Sequence, residues 1–172
     1  MKQVNVGLIG FGTVGSGVVK IFRDNAQVLD QRLGNPLVLK RIADTDTETD
    51  RGMEVEEGIL IPDAGELLED GEIDVVIELI GGLEPARSFI LEAIERGKHV
   101  VTANKALMAH HGEELFEAAA QKGVNIGFEA SVGGGIPIIR SIREGFTANR
   151  FQTLQGIVNG TANFILSRMT EE

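Results

Sequence analysis

Val4-Asn5-Val6-Gly7-Leu8-Ile9-Gly10-Phe11-Gly12-Thr13-Val14-Gly15 is the stretch on which the fold turns. Val4 to Ile9 is a short apolar run, the pattern of a buried strand. After Val14, apolar residues recur at Val18, Ile21 and Phe22, the spacing of one helical face. Between them lies a G-x-G-x-x-G. In a chain with 22 glycines that motif alone carries little weight; closing a strand and opening a helix, it gains meaning. Gly10 permits a sharp turn, Gly12 lets backbone approach a pyrophosphate, and Gly15 lets the helix pack on the strand. Free N–H groups and the positive end of the helix dipole then suit phosphates. A tight strand–helix turn without a ligand is the alternative.

Outward from this unit the two periods keep alternating. Pro36 to Ala43 reads as a second strand closing on Asp44, and Thr45 to Pro62 as a polar, acidic loop. Leu67 and Leu68 suggest a short helix. Ile73 to Ile80 is a strong buried strand, stopped by Gly81-Gly82. Pro85 suits a first helical turn, and Ala86, Phe89, Ile90, Ala93 and Ile94 come next at helical spacing up to Gly97. His99 to Thr102 reads as a strand, Lys105 to Lys122 as a helix ending at Gly123, and Val124 to Phe128 as another strand. This alternation predicts an α/β fold, a doubly wound parallel sheet of Rossmann type with helices on both faces. Beyond Gly133-Gly134-Gly135 the pattern loosens. Ile136 to Phe146 reads as a helix, Phe151 to Val158 as a strand opening a new sheet, and Ala162 to Met169 as the start of a helix. The last residues carry neither a capping glycine nor a tail, as expected of an interrupted domain.

A net charge of −10 disfavours nucleic acid and anionic membranes as partners, because such a surface repels phosphate backbones at long range. One dinucleotide remains acceptable, since local N–H groups meet its phosphates. The absence of Trp and Tyr argues further against stacking on single-stranded nucleic acid. No cysteine means no disulfide framework and no thiolate chemistry. No apolar run reaches the ~20 residues of a bilayer span, and no signal peptide is evident, so a cytoplasmic location is expected.

Several positions are candidates for chemistry. Asp44, at the end of the second strand, suits the ribose hydroxyls of an adenosine, although it lies beyond Gly15 by more than the usual ~20 residues. A carboxylate there repels a 2′-phosphate and leans towards NAD over NADP, while Lys40, Arg41 and Arg51 lie near enough to oppose that preference. Asn104-Lys105 sits at the carboxyl end of a strand, the edge where ligands bind in open parallel sheets. Lys105 would serve a substrate oxygen, a nicotinamide group or a proton relay, or else be a solvated first-turn lysine. Glu129 to Pro137 is a glycine-rich turn, either a plain domain link or a loop whose carbonyls hold a hard cation. Asn159-Gly160-Thr161 opens the last helix. The three histidines form no metal pair and no catalytic triad.

Five segments together resemble the homoserine dehydrogenases: Gly7 to Val19, Glu78 to Ala86, Gly97 to Leu107, Phe128 to Ile139 and Asn159 to Leu166. The resemblance spans essentially the whole chain, and its last three blocks are more specific than the glycine fingerprint. It implies an oxidoreductase of reversible NAD- or NADP-dependent hydride transfer between L-homoserine and L-aspartate 4-semialdehyde, in threonine and methionine biosynthesis. By position it implies that Phe11, Thr13 and Val14 touch the dinucleotide along with Gly10, Gly12 and Gly15. Ile80 and Gly81 would line the nicotinamide side, and Lys105 would lie between cofactor and substrate. Glu129, Val132, Gly134 and Ile136 match a structural sodium loop, mostly through main-chain oxygens, and Gly160 and Thr161 match the edge of the substrate pocket.

Two features depart from that pattern. Thr45 stands where many relatives carry an arginine suited to a 2′-phosphate. The family's later catalytic Asp and Lys and substrate-binding Glu would fall beyond Glu172. The expected organisation is a dinucleotide-binding domain over residues 1–136. Residues 137–172 would begin a truncated α+β substrate and dimerisation domain, through which the full-length enzyme would form a homodimer or larger assembly. A redox-sensing binding module would share Gly10 to Gly15 but would need no polar edge at Asn104, Lys105, Gly160 and Thr161. Another amino-acid dehydrogenase with the same cofactor domain is the third alternative.

Overall fold

The computed structural model describes residues 3–157 and 159–171. Its strands are β1 (Val4–Ile9), β2 (Leu37–Ala43), β3 (Leu60–Ile61), β4 (Val75–Glu78), β5 (His99–Thr102) and β6 (Ile126–Gly127). They pair side by side in the order β3-β2-β1-β4-β5-β6, all parallel. Helices α1 (Thr13–Asp24) and α2 (Ala26–Leu33) connect β1 to β2. Single helices α3 (Ala64–Glu69), α4 (Ala86–Glu95) and α5 (Lys105–Lys122) precede β4, β5 and β6 in turn. The chain thus steps outward from β1 in one direction, returns, and steps outward in the other. That reversal between β1 and β4 leaves a crevice at the carboxyl ends of the strands.

Successive strand side chains face opposite ways, and two cores result. Ile9, Ala43, Val76, Val100 and Ile126 meet α3, α4 and α5 through Leu67, Ile90, Ile94, Leu107 and Leu115. Their neighbours Leu8 and Ile42 face the other side, where they pack with Phe11, Val19 of α1, and Met53, Val55 and Ile59 of the long loop. The first core is the larger because three helices cover it. On the second side Val101 stays 39% exposed. At the amino ends of the strands, Lys98 is buried and donates to the carbonyls of Asp70 and Ile73, satisfying its ammonium where burial pushes its pKa down.

The turn chemistry is that read from the sequence. Gly123 ends α5 in the left-handed conformation at φ 69°, where a side chain would be strained. One helix was expected before the second strand and the structure has two: Asn25, with φ of −118° and ψ of 16°, separates α1 from α2. Asn competes with the helix for backbone bonds, and Gly34 then closes α2. The acidic loop also ends in a short strand, β3, which the polar composition before it concealed.

Past Gly135 the structure departs further. The helix expected over Ile136 to Phe146 is one turn, α6 (Ile138–Arg140), continuing into a wider π-type turn over Ser141–Gly145. The strand expected over Phe151 to Val158 is absent from residues 151–157; Val158 lies outside the described residues. Alternation sets which way side chains face, but a strand exists only in a paired ladder, and Phe151 to Ile157 are all exposed. The last helix does form, as α7 (Gly160–Glu171), with none of its residues buried. Among the described residues no helix is long and apolar enough to cross a membrane.

Candidate functional site

Strand register decides which residues share the crevice. Ala43 pairs with Ile9, Ile9 with Glu78, and Glu78 with Thr102. The four strand ends are therefore level, and the next residues along the chain, Asp44, Gly10, Leu79 and Ala103, emerge along a single edge. Three inter-strand spacings of ~4.8 Å make this edge roughly 14 Å long, room for an extended ligand.

Gly10 turns the chain at φ 100°, hard against Leu79 and Ile80, where a Cβ would stand 2.9 Å from the Leu79 carbonyl carbon. At Gly15 a Cβ would lie 2.0 Å from the Gly10 oxygen, so the start of α1 packs directly on the turn. Gly12 is different: nothing lies within 4 Å of a Cβ placed there. It is also the N-cap of α1, and no side chain caps that helix end. An exposed, uncapped helix start beside a glycine with open space around it fits a pyrophosphate.

On the β2 side, Asp44 accepts from the backbone N–H of Phe11 at 2.6 Å and of Asp46 at 2.9 Å. Arg51 reaches back from the acidic loop and donates to the carbonyls of Phe11, Thr49 and Asp46. Its guanidinium also stands 5.0 Å from the centre of the Phe11 ring, 3.4 Å from the Asp46 carboxylate and 3.8 Å from that of Asp44. Hydrogen bonds from Thr49, with Arg51 adding to them, hold Asp46 below the usual carboxylate range. Phe11, expected at the dinucleotide, buries its ring and uses its N–H and C=O in this clamp. Beside Asp44 and Thr45 a pocket of about 340 Å³ runs between Pro62, Ile80, Pro85 and Phe89.

The β5 side joins the expected Asn104 and Lys105 to a residue that sequence reasoning did not single out, Glu78. Glu78 is fully buried. Its Oε1 accepts from the N–H groups of Ile80 and Gly81, and its Oε2 accepts from the Thr102 hydroxyl at 2.7 Å. Thr102 Oγ1 accepts in turn from the Asn104 N–H, and the Thr102 carbonyl accepts from the Ser131 hydroxyl. Asn104 donates from its side chain to the Gly82 carbonyl and caps α5 by accepting from the Leu107 N–H. Lys105 comes next as the first residue of α5, exposed on this edge. A smaller pocket of about 130 Å³ separates Val14 from Leu79, Gly81, Ala103 and Asn104. A glutamate inside an apolar strand was the available signal.

The remaining candidates stand apart. The Glu129 carboxylate accepts from the N–H groups of Ile139 and Arg140 and so caps α6. Its carbonyl and that of Ile136 each accept one N–H, from Val132 and Ile138. Gly160 and Thr161 are exposed at the start of α7, where Asn159 accepts from the Ala162 N–H. The structure does not bring them to the crevice. Among the described residues no three His, Cys, Asp or Glu side chains cluster as metal ligands.

Parallel order, reversal at β1 and a glycine-rich turn beneath an uncapped helix define a Rossmann-type dinucleotide-binding fold. Residues 10–129 match the family model for the NAD-binding domain of homoserine dehydrogenase, and residues 137–172 match that of homoserine dehydrogenase itself. The chain belongs to the homoserine dehydrogenase family. It is 46% identical to the Bacillus subtilis homoserine dehydrogenase, over 100% of this chain and 40% of that one. The crystal structure of a homoserine dehydrogenase from Thiobacillus denitrificans superposes with a TM-score of 0.92 at 49% identity, covering 100% of this chain and 40% of the other. A hyperthermophilic archaeal homoserine dehydrogenase in complex with NADPH gives a TM-score of 0.81 at 26% identity, covering 99% of this chain and 57% of its own. The chain thus spans about 40% of the length of the two more similar relatives.

Proposed function

We propose that a protein of full family length carrying this chain interconverts L-homoserine and L-aspartate 4-semialdehyde with a nicotinamide dinucleotide, in threonine and methionine biosynthesis in the cytoplasm. The observation that carries this reading is the level row of strand ends, with the open Gly12 turn at its centre and Lys105 at one end. The bound cofactor would take a hydride from homoserine and return one to the semialdehyde. Exposed backbone at Gly12, Thr13 and Val14 receives its phosphates, with Gly10 and Gly15 shaping the turn. Asp44 meets the adenosine ribose beside the larger pocket. Ile80 and Gly81 form the wall of the nicotinamide gap. Lys105 hydrogen-bonds and polarises the substrate oxygen and takes part in relaying its proton to solvent, with Gly160 and Thr161 completing the substrate edge once the rest of the substrate domain folds around them.

NAD is the favoured dinucleotide. Asp44 repels a 2′-phosphate, Thr45 offers no cation, and Arg51 is already committed to three carbonyls and a ring. The 1–136 and 137–172 division into cofactor and substrate domains belongs to the same reading, as does a homodimer or larger assembly through the second. A sodium ion would be held by main-chain oxygens of Glu129, Val132, Gly134 and Ile136, since the Glu129 carboxylate is engaged by the N–H groups of Ile139 and Arg140.

The test has two parts. The 172-residue chain should bind NAD in calorimetry yet leave homoserine unconverted. A full-length protein should reduce NAD with homoserine, and Lys105→Ala should lower its turnover by ~10²–10⁴-fold with cofactor affinity nearly kept. Failure of the chain to bind any dinucleotide sinks the reading.

A further inference from the structure

Among the described residues five polar side chains are buried: Glu78, Lys98, Thr102, Asn104 and Ser131. Four of these, all but Lys98, join in a single network at the end of the crevice assigned to the nicotinamide. Buried polar groups are costly unless satisfied, and among the described residues every buried side-chain nitrogen and oxygen has a partner. The cluster is more than a cap on two strands. Its bonds end on the Ile80–Gly81–Gly82 turn on one side, and on Asn104 with the first turn of α5 on the other. Both walls of the smaller pocket are therefore tied to one carboxylate.

We infer that Glu78 is the positioning residue of the nicotinamide half of the cofactor site: it sets the distance between the Ile80–Gly81 wall and the Asn104–Lys105 edge. This rests on the dinucleotide reading and adds to it a division of labour. Gly81 and Gly82 both adopt left-handed φ of 73°, so their turn has many conformations open to it. The two N–H groups held by Glu78 Oε1 choose one. Thr102 transmits the same constraint across the β4–β5 pairing, since its hydroxyl donates to Glu78 while accepting from the Asn104 N–H. The adenosine half has its own supports at Asp44 and Arg51; Ile80 lines its pocket too, but none of these bonds holds Asp44 or the Gly10–Gly15 turn.

Glu78→Gln keeps the size of the side chain and breaks the match of donors to acceptors. With its oxygen towards Ile80 and Gly81, its amide donates to Thr102 Oγ1 and the hydroxyl loses its acceptor at residue 78; turned over, the amide faces two backbone donors. ADP-ribose, which lacks the nicotinamide, separates the two halves. The 172-residue chain and its Glu78→Gln, Thr102→Val and Thr102→Ser variants are titrated with ADP-ribose in calorimetry. NADH is titrated by the fluorescence of its reduced nicotinamide. The expected result is a loss of about tenfold in NADH affinity for Glu78→Gln and Thr102→Val. ADP-ribose affinity should stay within about twofold, and Thr102→Ser, which keeps the hydroxyl, should behave as wild type. Unchanged NADH affinity in both disruptive variants overturns the inference, as does an equal fall in both ligands, the mark of a general folding role. A wild-type chain that binds neither ligand overturns the dinucleotide reading itself, and this inference with it.

Discussion

On the β2 side of the crevice, Asp44 lies in a loop with its side chain 18% exposed and is held by two backbone N–H groups and by Arg51 reaching over from the acidic segment. On the β5 side, Glu78 is wholly buried within a strand and is held by three donors from two further elements. Glu78 is the last residue of β4 and Asp44 the first past β2, one step further along the sheet, and their surroundings differ. The half-buried one keeps lone pairs free for a ligand, as an acceptor for hydroxyls must. The buried one spends its oxygens on the protein itself, which suits a part that sets geometry. A cofactor site therefore contains carboxylates of two kinds, and burial separates them where sequence alone does not.

The largest effects should come from the turn that both halves share. Gly15→Val places a side chain where the Gly10 carbonyl already stands, so the β1–α1 unit must shift. Overpacking of this kind costs about 1–3 kcal/mol or more, and thermal unfolding should show it. Gly12→Val enters open space, so its melting temperature should match wild type while ADP-ribose and NADH both stop binding. Retained binding by a folded Gly12→Val would place the pyrophosphate elsewhere and dissolve the division into halves.

Next in size, Asp44→Ala strikes the β2 side alone. Affinity for NAD should fall about tenfold, and affinity for NADP less, since the same change removes a charge that repels a 2′-phosphate. ADP-ribose should weaken in step with NADH, the reverse of the pattern for Glu78→Gln. Equal changes for NAD and NADP in calorimetry would reduce Asp44 to a brace for the Phe11 turn.

The smallest effect lies away from the crevice and serves as the reference for both halves. Lys40 bridges Asp70 and Glu72 near the amino ends of the strands, and its hydrogen bond holds the Asp70 carboxyl below the usual range. A depressed carboxyl contributes stability above its unfolded value, and that share is lost as pH falls through the lower, folded value. Lys40→Ala should therefore lower stability at pH 7 by less than about 1 kcal/mol and flatten the further loss between about pH 5 and pH 2. Urea midpoints across that range measure it, and ligand affinity should stay unchanged. A shifted NADH affinity would mean that the amino-end ion pairs couple to the crevice.

Much of the cofactor domain was legible because its signals are local. His99 to Thr102 and Lys105 to Lys122 fall where the periodicity and the Gly123 stop put them. Asp44 and Lys105 were readable as candidates because each lies just past the end of a strand, and in a parallel sheet that is the ligand edge. The break at Asn25 and the two-residue strand β3 were not legible, since neither has a period long enough to register. Phe151 to Ile157 shows the opposite failure, an alternating pattern whose ladder finds no partner among the described residues.

By itself the sequence determined the alternation of strands and helices, the glycine turn and the match to a family, because each is written in neighbouring residues. Only the tertiary structure decided that Arg51 closes onto Phe11 and Asp44, that Glu129 turns its carboxylate onto α6, and that Glu78, Thr102, Asn104 and Ser131 form one buried network. The bonds that close these arrangements between elements span 10 positions from Glu129 to Ile139, 24 from Glu78 to Thr102 and 40 from Phe11 to Arg51. Strand register and side-chain reach bring such residues together. Hydrophobic periodicity reports which face of an element is buried; it holds no record of which buried polar groups will meet.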